Sequence, residues 1–198
     1  MSFKIRKANY SDLPYIYNIC LKTGKSGSDA SDYLYDKFSI AQYFAAPYLH
    51  FDIDSCLILE NEGIPTGYII GCSNTSEFNK WMNEEWLPEL RKKYPPEIEC
   101  KSPLESFIVK KINSDIEEED YFKDYPSHLH IDLLETAQGK GFGKKLLYDF
   151  FKLMKTKNVK GLHLGVGLNN KNAIEFYKKT GFDVIREEDG ALIMGIKF

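Results

Sequence analysis

Apolar and polar positions change period several times along the chain, and each change marks an element. Residues 3–8 (FKIRKA) alternate, the period of a half-buried strand. Leu13, Ile16, Tyr17, Cys20 and Leu21 then fall at helical spacing, with Ser11 placed to cap and Pro14 in the first turn. Gly24 and Gly27 end that helix and open a small, polar loop over 23–31, expected to be mobile. A second helix is expected over 32–46, from Tyr33, Leu34, Phe38, Tyr43 and Phe44, stopped at Ala45-Ala46-Pro47. Strands at 56–59 and 66–72 flank the turn Asn61-Glu62-Gly63 and predict a β-hairpin.

Residues 74–126 break this rhythm. Phe78, Trp81, Met82 and Trp86 predict a helix, which Pro88 kinks or restarts through Leu90 and Tyr94. Pro95-Pro96 ends that piece, and 104–112 suits a further short helix. The acidic run Glu117-Glu118-Glu119-Asp120 reads as a solvated turn. From His128 the pattern sharpens: strand 128–134, helix 141–155, strand 161–166, helix 170–179 stopped at Gly181, and strands 182–185 and 192–196. The order β-α-α-β-β, helical insert, β-α-β-α-β-β predicts one α/β domain over 1–198. Its expected core is a mixed sheet with helices on both faces.

Composition narrows the class. A formal net charge of −3 argues against nucleic acid as a partner, because phosphate neutralisation needs a basic face. Cys20, Cys56, Cys72 and Cys100 form no CxxC pair and no zinc-type spacing, so no metal is expected and the thiols read as reduced and cytoplasmic. No apolar run approaches the ~20 residues of a membrane helix, and the first residues lack a signal core.

The chemistry concentrates at Gln138-Gly139-Lys140-Gly141-Phe142-Gly143, between a strand and a helix. Helix N-termini leave N–H groups unpaired and carry partial positive charge, and glycines let a diphosphate approach that backbone. Lys140, Lys144 and Lys145 add cations beside it, and Gln138 adds a side-chain donor. A dinucleotide fingerprint would need glycine where Lys144 stands. A P-loop would need glycine at Gln138 and a hydroxyl at Lys145, so both nucleotide motifs fail.

The loop has company. Gln-x-x-Gly-x-Gly, followed by Asn170, Ala173, Phe176, Tyr177, Gly181 and Phe182 in the pattern N-x-x-A-x-x-F-Y-x-x-x-G-F, resembles the two signatures of the GNAT family of N-acetyltransferases. Ile5-Arg6-x-Ala8-x-x-x-Asp12 resembles the family's first strand and helix. His128-Leu-His-Ile-Asp-Leu-Leu, Ala137-Gln-Gly-Lys-Gly and His163-Leu-Gly-Val are similar to the acetyltransferase-like domain attached to O-GlcNAc hydrolases, here expected to stand alone.

The resemblance implies a mainly antiparallel sheet of the seven strands above and acetyl-CoA as cosubstrate. It implies a small-molecule or protein amine as acceptor, with a homodimer left open. It places the CoA diphosphate on the loop 138–143 and makes Gln138, Gly139, Lys140, Gly141, Phe142, Gly143 and Lys144 cofactor-binding residues. The pantetheine arm would pair with Leu133 and Leu134 and meet Asn170, Ala173 and Phe176. Tyr177 would protonate the leaving thiolate. Tyr177 equally suits a core position, and Asn170 a helix cap. For the base, His128, His130 and Asp132 share one strand face, and His130 and Asp132 are singled out. His163 is a further candidate, and a structural role competes for each histidine. A backbone N–H such as that of Leu134 would serve the oxyanion. An acyl-CoA-binding sensor without transferase activity is the alternative. The family joins strands 66–72 and 128–134 by a short turn, so 74–126 is expected to form a lid over the acceptor pocket, opposite the loop at 24–32.

Overall fold

The computed structural model describes residues 2–188 and 190–198; Met1, and with it the first residue of the start read above, lies outside. Its frame is a seven-stranded sheet. The strands are β1 (Phe3–Lys7), β2 (Cys56–Asn61), β3 (Ile64–Cys72), β4 (Ser127–Leu133), β5 (Gly161–Gly167), β6 (Asp183–Glu188) and β7 (Ala191–Lys197). They lie in the order β1-β2-β3-β4-β5-β7-β6. All pairs are antiparallel except the central one, β4 with β5.

Eight helices flank it among the described residues: α1 (Leu13–Thr23), α2 (Ser39–Phe44), α3 (Ala46–Asp52), α4 (Thr75–Trp81), α5 (Leu87–Lys93), α6 (Pro103–Asn113), α7 (Phe142–Thr156) and α8 (Lys171–Lys179). On one face, α1 to α6 pack on Ile58, Tyr68 and Ile70. On the other, α7 and α8 bury Leu146, Leu147, Phe150 and Tyr177 against Leu59, Ile69 and Leu129. The alternation of β3 and β4 side chains therefore feeds two separate cores. No helix among the described residues is long and apolar enough to cross a membrane.

The first strand is locked to α1 by charge. Arg6 donates to both Asp12 carboxylate oxygens, at 2.8 and 2.7 Å, and to Glu60 at 2.6 Å. The cap expected from Ser11 is made by Asn9, whose side chain accepts from the Ser11 amide while Asp12 accepts from the Asn9 amide. Pro47 does not end the second helix. It sits in the first turn of α3, where its missing N–H costs nothing, so 31–52 holds a 3-10 turn and two short helices in place of one helix over 32–46.

The hairpin turn forms as expected, with Glu62 and Gly63 both at positive φ, 53° and 84°. In the insertion, α4 passes through a π-helical turn (Met82–Trp86) into α5, and Pro88 lies in the first turn of α5. The acidic run is pinned rather than merely solvated. Arg186 holds Glu119 at 2.7 Å and Asp120 at 3.7 Å. Gly71 marks the closest approach: a Cβ there would collide with the His128 carbonyl and the Phe150 ring.

Candidate active site

The central strand pair barely pairs. β4 meets β5 only at Ser127–Leu162 and His128–His163. Beyond that point β4 stays with β3 as far as Leu133, and β5 stays with β7 as far as Gly167. The two strands part, and a cleft opens between them. Leu134 N–H donates to the Thr66 carbonyl at 2.8 Å. By the alternation of an antiparallel ladder, the backbone groups of Leu129, Ile131 and Leu133 then point the other way, towards the gap.

The glycine loop lies at the wide end of this gap, a cleft of about 810 Å³. Gly139 and Gly141 adopt positive φ, 70° and 80°, and a Cβ on either would meet no atom within 4 Å. Gly141 is the N-cap of α7 and supplies no capping side chain. The first intrahelical bond is Lys145 N–H to the Gly141 carbonyl, at 3.2 Å. The amides of Phe142, Gly143 and Lys144 are thus the orphan donors of the helix start. Gly139, Gly141, Phe142, Gly143 and Lys144 all line the cleft. Open space over positive-φ backbone, at a helix end with unpaired donors, fits an anionic diphosphate.

The other residues expected at this end divide. Gln138 lines the cleft, but its Nε2 donates to the Leu133 carbonyl at 2.8 Å and so closes the loop on the strand end. Lys140 turns away from the cradle: Nζ donates to the Thr136 carbonyl at 2.7 Å and sits 5.2 Å from the Phe3 ring centre. Lys144, Lys145 and Lys152 instead gather on the outer side of α7 near Tyr148. Leu133 lines the cleft. Leu134 packs into the opposite core, and its N–H is spent on Thr66, so it offers no oxyanion donor. By strand parity it is the N–H groups of Ile131 and Leu133 that face the gap. Asn170 Oδ1 caps α8 by accepting from Ala173 N–H at 3.2 Å, which leaves its amide NH₂ for a ligand. Ala173, Phe176 and Tyr177 complete the α8 wall.

Inward, the cleft narrows into a second cavity of about 310 Å³ that shares Ile131, Asp132, Asn170, Ala173 and Tyr177 with the first. Tyr177 is 8% exposed at this throat. Burial, and after it the charge of Asp132, raises its pKa, so the hydroxyl is protonated at neutral pH. Asp132 lies opposite Tyr68 across the sheet, and the Tyr68 hydroxyl donates to its Oδ2 at 2.6 Å. The Thr23 hydroxyl, which donates to the Ile19 carbonyl at 2.8 Å, also faces the carboxyl. Enclosure by protein pushes the Asp132 pKa up, and these two hydroxyls oppose the rise.

The histidines divide by role. His128 is structural: Tyr48 Oη lies 2.6 Å from Nε2 and Thr75 Oγ1 2.9 Å from Nδ1, so both ring nitrogens are engaged in either tautomer. His163 is structural too, bonded through Nδ1 to the Tyr125 carbonyl at 2.7 Å and stacked on Phe122. His130 faces the inner cavity, edge-on to Phe44 and Tyr48. Burial lowers its pKa to about 4, which keeps the ring neutral.

The insertion reaches the same place. Leu104 and Phe107 of α6 line the inner cavity, facing Ser26 and Gly27 of the loop after α1. That loop is held at its base by reciprocal bonds between Lys25 and Ser28, at 2.9 and 3.0 Å. The tryptophans do not line it. Trp86 donates to the Gln42 carbonyl at 2.9 Å and packs on Trp81. As site residues Tyr68 and Phe44 went unread, Phe44 being taken only for a helix's apolar set; the one signal for Tyr68 is a lone aromatic in its strand. No group of three metal-ligating side chains occurs among the described residues.

Comparison with known proteins agrees with this geometry. The model of the acetyltransferase (GNAT) family matches residues 27–182. The solved structure of SsHAT is 28% identical, covering all of this chain and 98% of the other, with a TM-score of 0.88. PaiA N-acetyltransferase from Thermoplasma acidophilum, solved with coenzyme A, is 17% identical over the full length of both chains, with a TM-score of 0.55. YncA from Salmonella typhimurium, solved with its cofactor acetyl-CoA, is 16% identical over all of this chain and 94% of the other, with a TM-score of 0.56. At that identity the likeness of the last two is one of fold. Protein O-GlcNAcase of Rattus norvegicus is 24% identical over 144 residues, 71% of this chain; the matched region spans only 16% of that protein.

Proposed function

The chain belongs to the acetyltransferase (GNAT) family, and from that premise we propose that it transfers an acetyl group from acetyl-CoA to a primary amine by direct attack. The observation that carries this reading is the continuous passage from the glycine cradle, through the gap between β4 and β5, to the Asp132–Tyr177 throat. The donor enters from the wide end, with its diphosphate on the Phe142, Gly143 and Lys144 amides. Its pantetheine arm runs along the unpaired edge of β4. Coenzyme A supplies the activated acetyl group as a thioester.

Each residue then has one task. Asp132, as carboxylate, takes the proton that the amine nitrogen loses as the C–N bond forms. The N–H of Ile131, beside Asp132 on the gap edge of β4, receives the developing oxyanion, and that of Leu133 is left to the pantetheine arm. Tyr177 gives its proton to the sulfur as the C–S bond breaks, and the proton held by Asp132 then returns to the Tyr177 phenolate. Amine and thioester become amide and thiol, with no net change in protons. Burial penalises the charged form of both tyrosine and thiol, so the dry throat raises both pKa values and leaves transfer between them feasible.

Asp132→Asn tests the base. Acetyl-CoA binding by calorimetry should survive, and free-thiol release coupled to acceptor mass should fall by about 10²-fold or more. Undiminished turnover in that variant would remove Asp132 from the role. The insertion belongs to the same reading as a lid: shortening α6 should weaken acceptor use without weakening donor binding.

A further inference from the structure

The acceptor end of the passage has a distinctive charge balance. The inner cavity opens through Phe44 and His130 into a third space of about 190 Å³, walled by Tyr43, Tyr48, Phe78 and Phe122. Among the described residues lining these two spaces, Asp132 is the only carboxylic acid, and no lysine or arginine is present. Phe44 lies parallel to Phe107 at 6.4 Å and edge-on to His130. About 310 Å³ is near the small end of the ~300–1,000 Å³ range of small-molecule sites.

Three consequences follow from elementary electrostatics and packing. A lone acidic group attracts an ammonium group and repels an anion. A carboxylate or phosphate on the acceptor would be buried without a cationic partner, which is strongly unfavourable. Phe44 and Phe107 reward an apolar body laid against them, while Thr23, Ser26 and Asn170 supply the polar part of the wall.

Resting on the acetyl-transfer reading above, we propose that the acceptor is a small primary monoamine with an uncharged apolar body, its nitrogen at Asp132 and its body laid against Phe44 and Phe107, which line the same cavity. Acceptors that carry a carboxylate or phosphate, amino acids among them, are then poor ones.

The test uses the wild-type protein with saturating acetyl-CoA, measuring kcat/KM by thiol release and product mass. 2-Phenylethylamine is set against phenylalanine, which adds only the carboxylate, and pentylamine against 1,5-diaminopentane, which adds only a second cation. Glucosamine and a lysine-bearing peptide complete the panel. A preference of 100-fold or more for the apolar monoamine in both pairs is expected. Phe107→Ala should raise the KM for 2-phenylethylamine about tenfold, with acetyl-CoA affinity unchanged. Better turnover of phenylalanine, glucosamine or the peptide would overturn the acceptor class while leaving the transferase reading intact. Acetyl-CoA binding with no turnover of any amine would overturn the transferase reading, and the acceptor class with it.

Discussion

Gly141→Ala isolates the cradle from the rest of the molecule. The residue sits at φ 80° with nothing within 4 Å of where a Cβ would stand, so the substitution creates no clash. Its stability cost is the left-handed backbone strain of a Cβ-bearing residue, about 1 kcal/mol. For a domain of this size that lowers Tm by ~2–4 °C. The ligand effect should be much larger. The new methyl would occupy space lining the cleft above the Phe142, Gly143 and Lys144 amides. Losing even one charge-assisted hydrogen bond costs about 2 kcal/mol, or roughly 30-fold in Kd. Gly63→Ala is the matched control: φ 84°, equally open, but in the β2–β3 turn away from the cleft. Thermal melts and calorimetric titration of acetyl-CoA on both variants separate strain from binding. Similar Tm losses with at least ~30-fold weaker binding in Gly141→Ala alone is the expected pattern. Equal binding by the two variants would refute the cradle.

Tyr68→Phe deletes the 2.6 Å hydrogen bond that opposes the raised Asp132 pKa. At ~1.5–3 kcal/mol for a bond to a charged group, the acid limb of kcat/KM should move up by about 1–2 pH units. The alkaline plateau should be unchanged, and an unmoved limb would remove Asp132 from the rate law. Tyr177→Phe should lower kcat by about 10²-fold with unaltered acetyl-CoA affinity in calorimetry; a full-rate variant would refute the acid. His163 is held neutral by burial, down to about 4 from 6.5. The unfolded chain therefore binds more protons between these values, so stability falls as pH falls through that window. The loss attributable to this ring between pH 7 and pH 5 is about 2 kcal/mol, read as the difference between wild type and His163→Gln in the slope of the urea-derived unfolding free energy against pH. Parallel slopes would contradict it.

What the sequence carried and what it hid follow from where the information lies. The glycine loop's conformation was legible because it is written in residue type: positive φ and missing side chains are properties of Gly139 and Gly141 themselves. The strand face holding His128, His130 and Asp132 was legible because period two is local. The pairing of Asp132 with Tyr68 was not, since register between two strands divided by the 74–126 insertion is set by tertiary packing. The same parity decides the oxyanion donor. Reading Leu134 as facing the gap was off by one residue, and one residue reverses the direction of an N–H. Pro47 was read as a stop because proline at a helix start and proline after a helix end look alike without the flanking backbone. Trp81 and Trp86 were legible as helix positions, but not the satisfaction of the Trp86 N–H at the Gln42 carbonyl inside the helical layer, which is a tertiary contact.

The central claim is that the gap between β4 and β5 delivers an acetyl group to an amine at Asp132. Its most direct test is a single-turnover experiment with acetyl-CoA labelled in the acetyl carbon, wild-type protein in excess, and 2-phenylethylamine as acceptor. The account predicts one labelled amide formed for each free thiol released, with both lost together in Asp132→Asn. Bound acetyl-CoA that stays intact over many hours with this and every other amine, or thiol released with the label appearing as acetate, would contradict it.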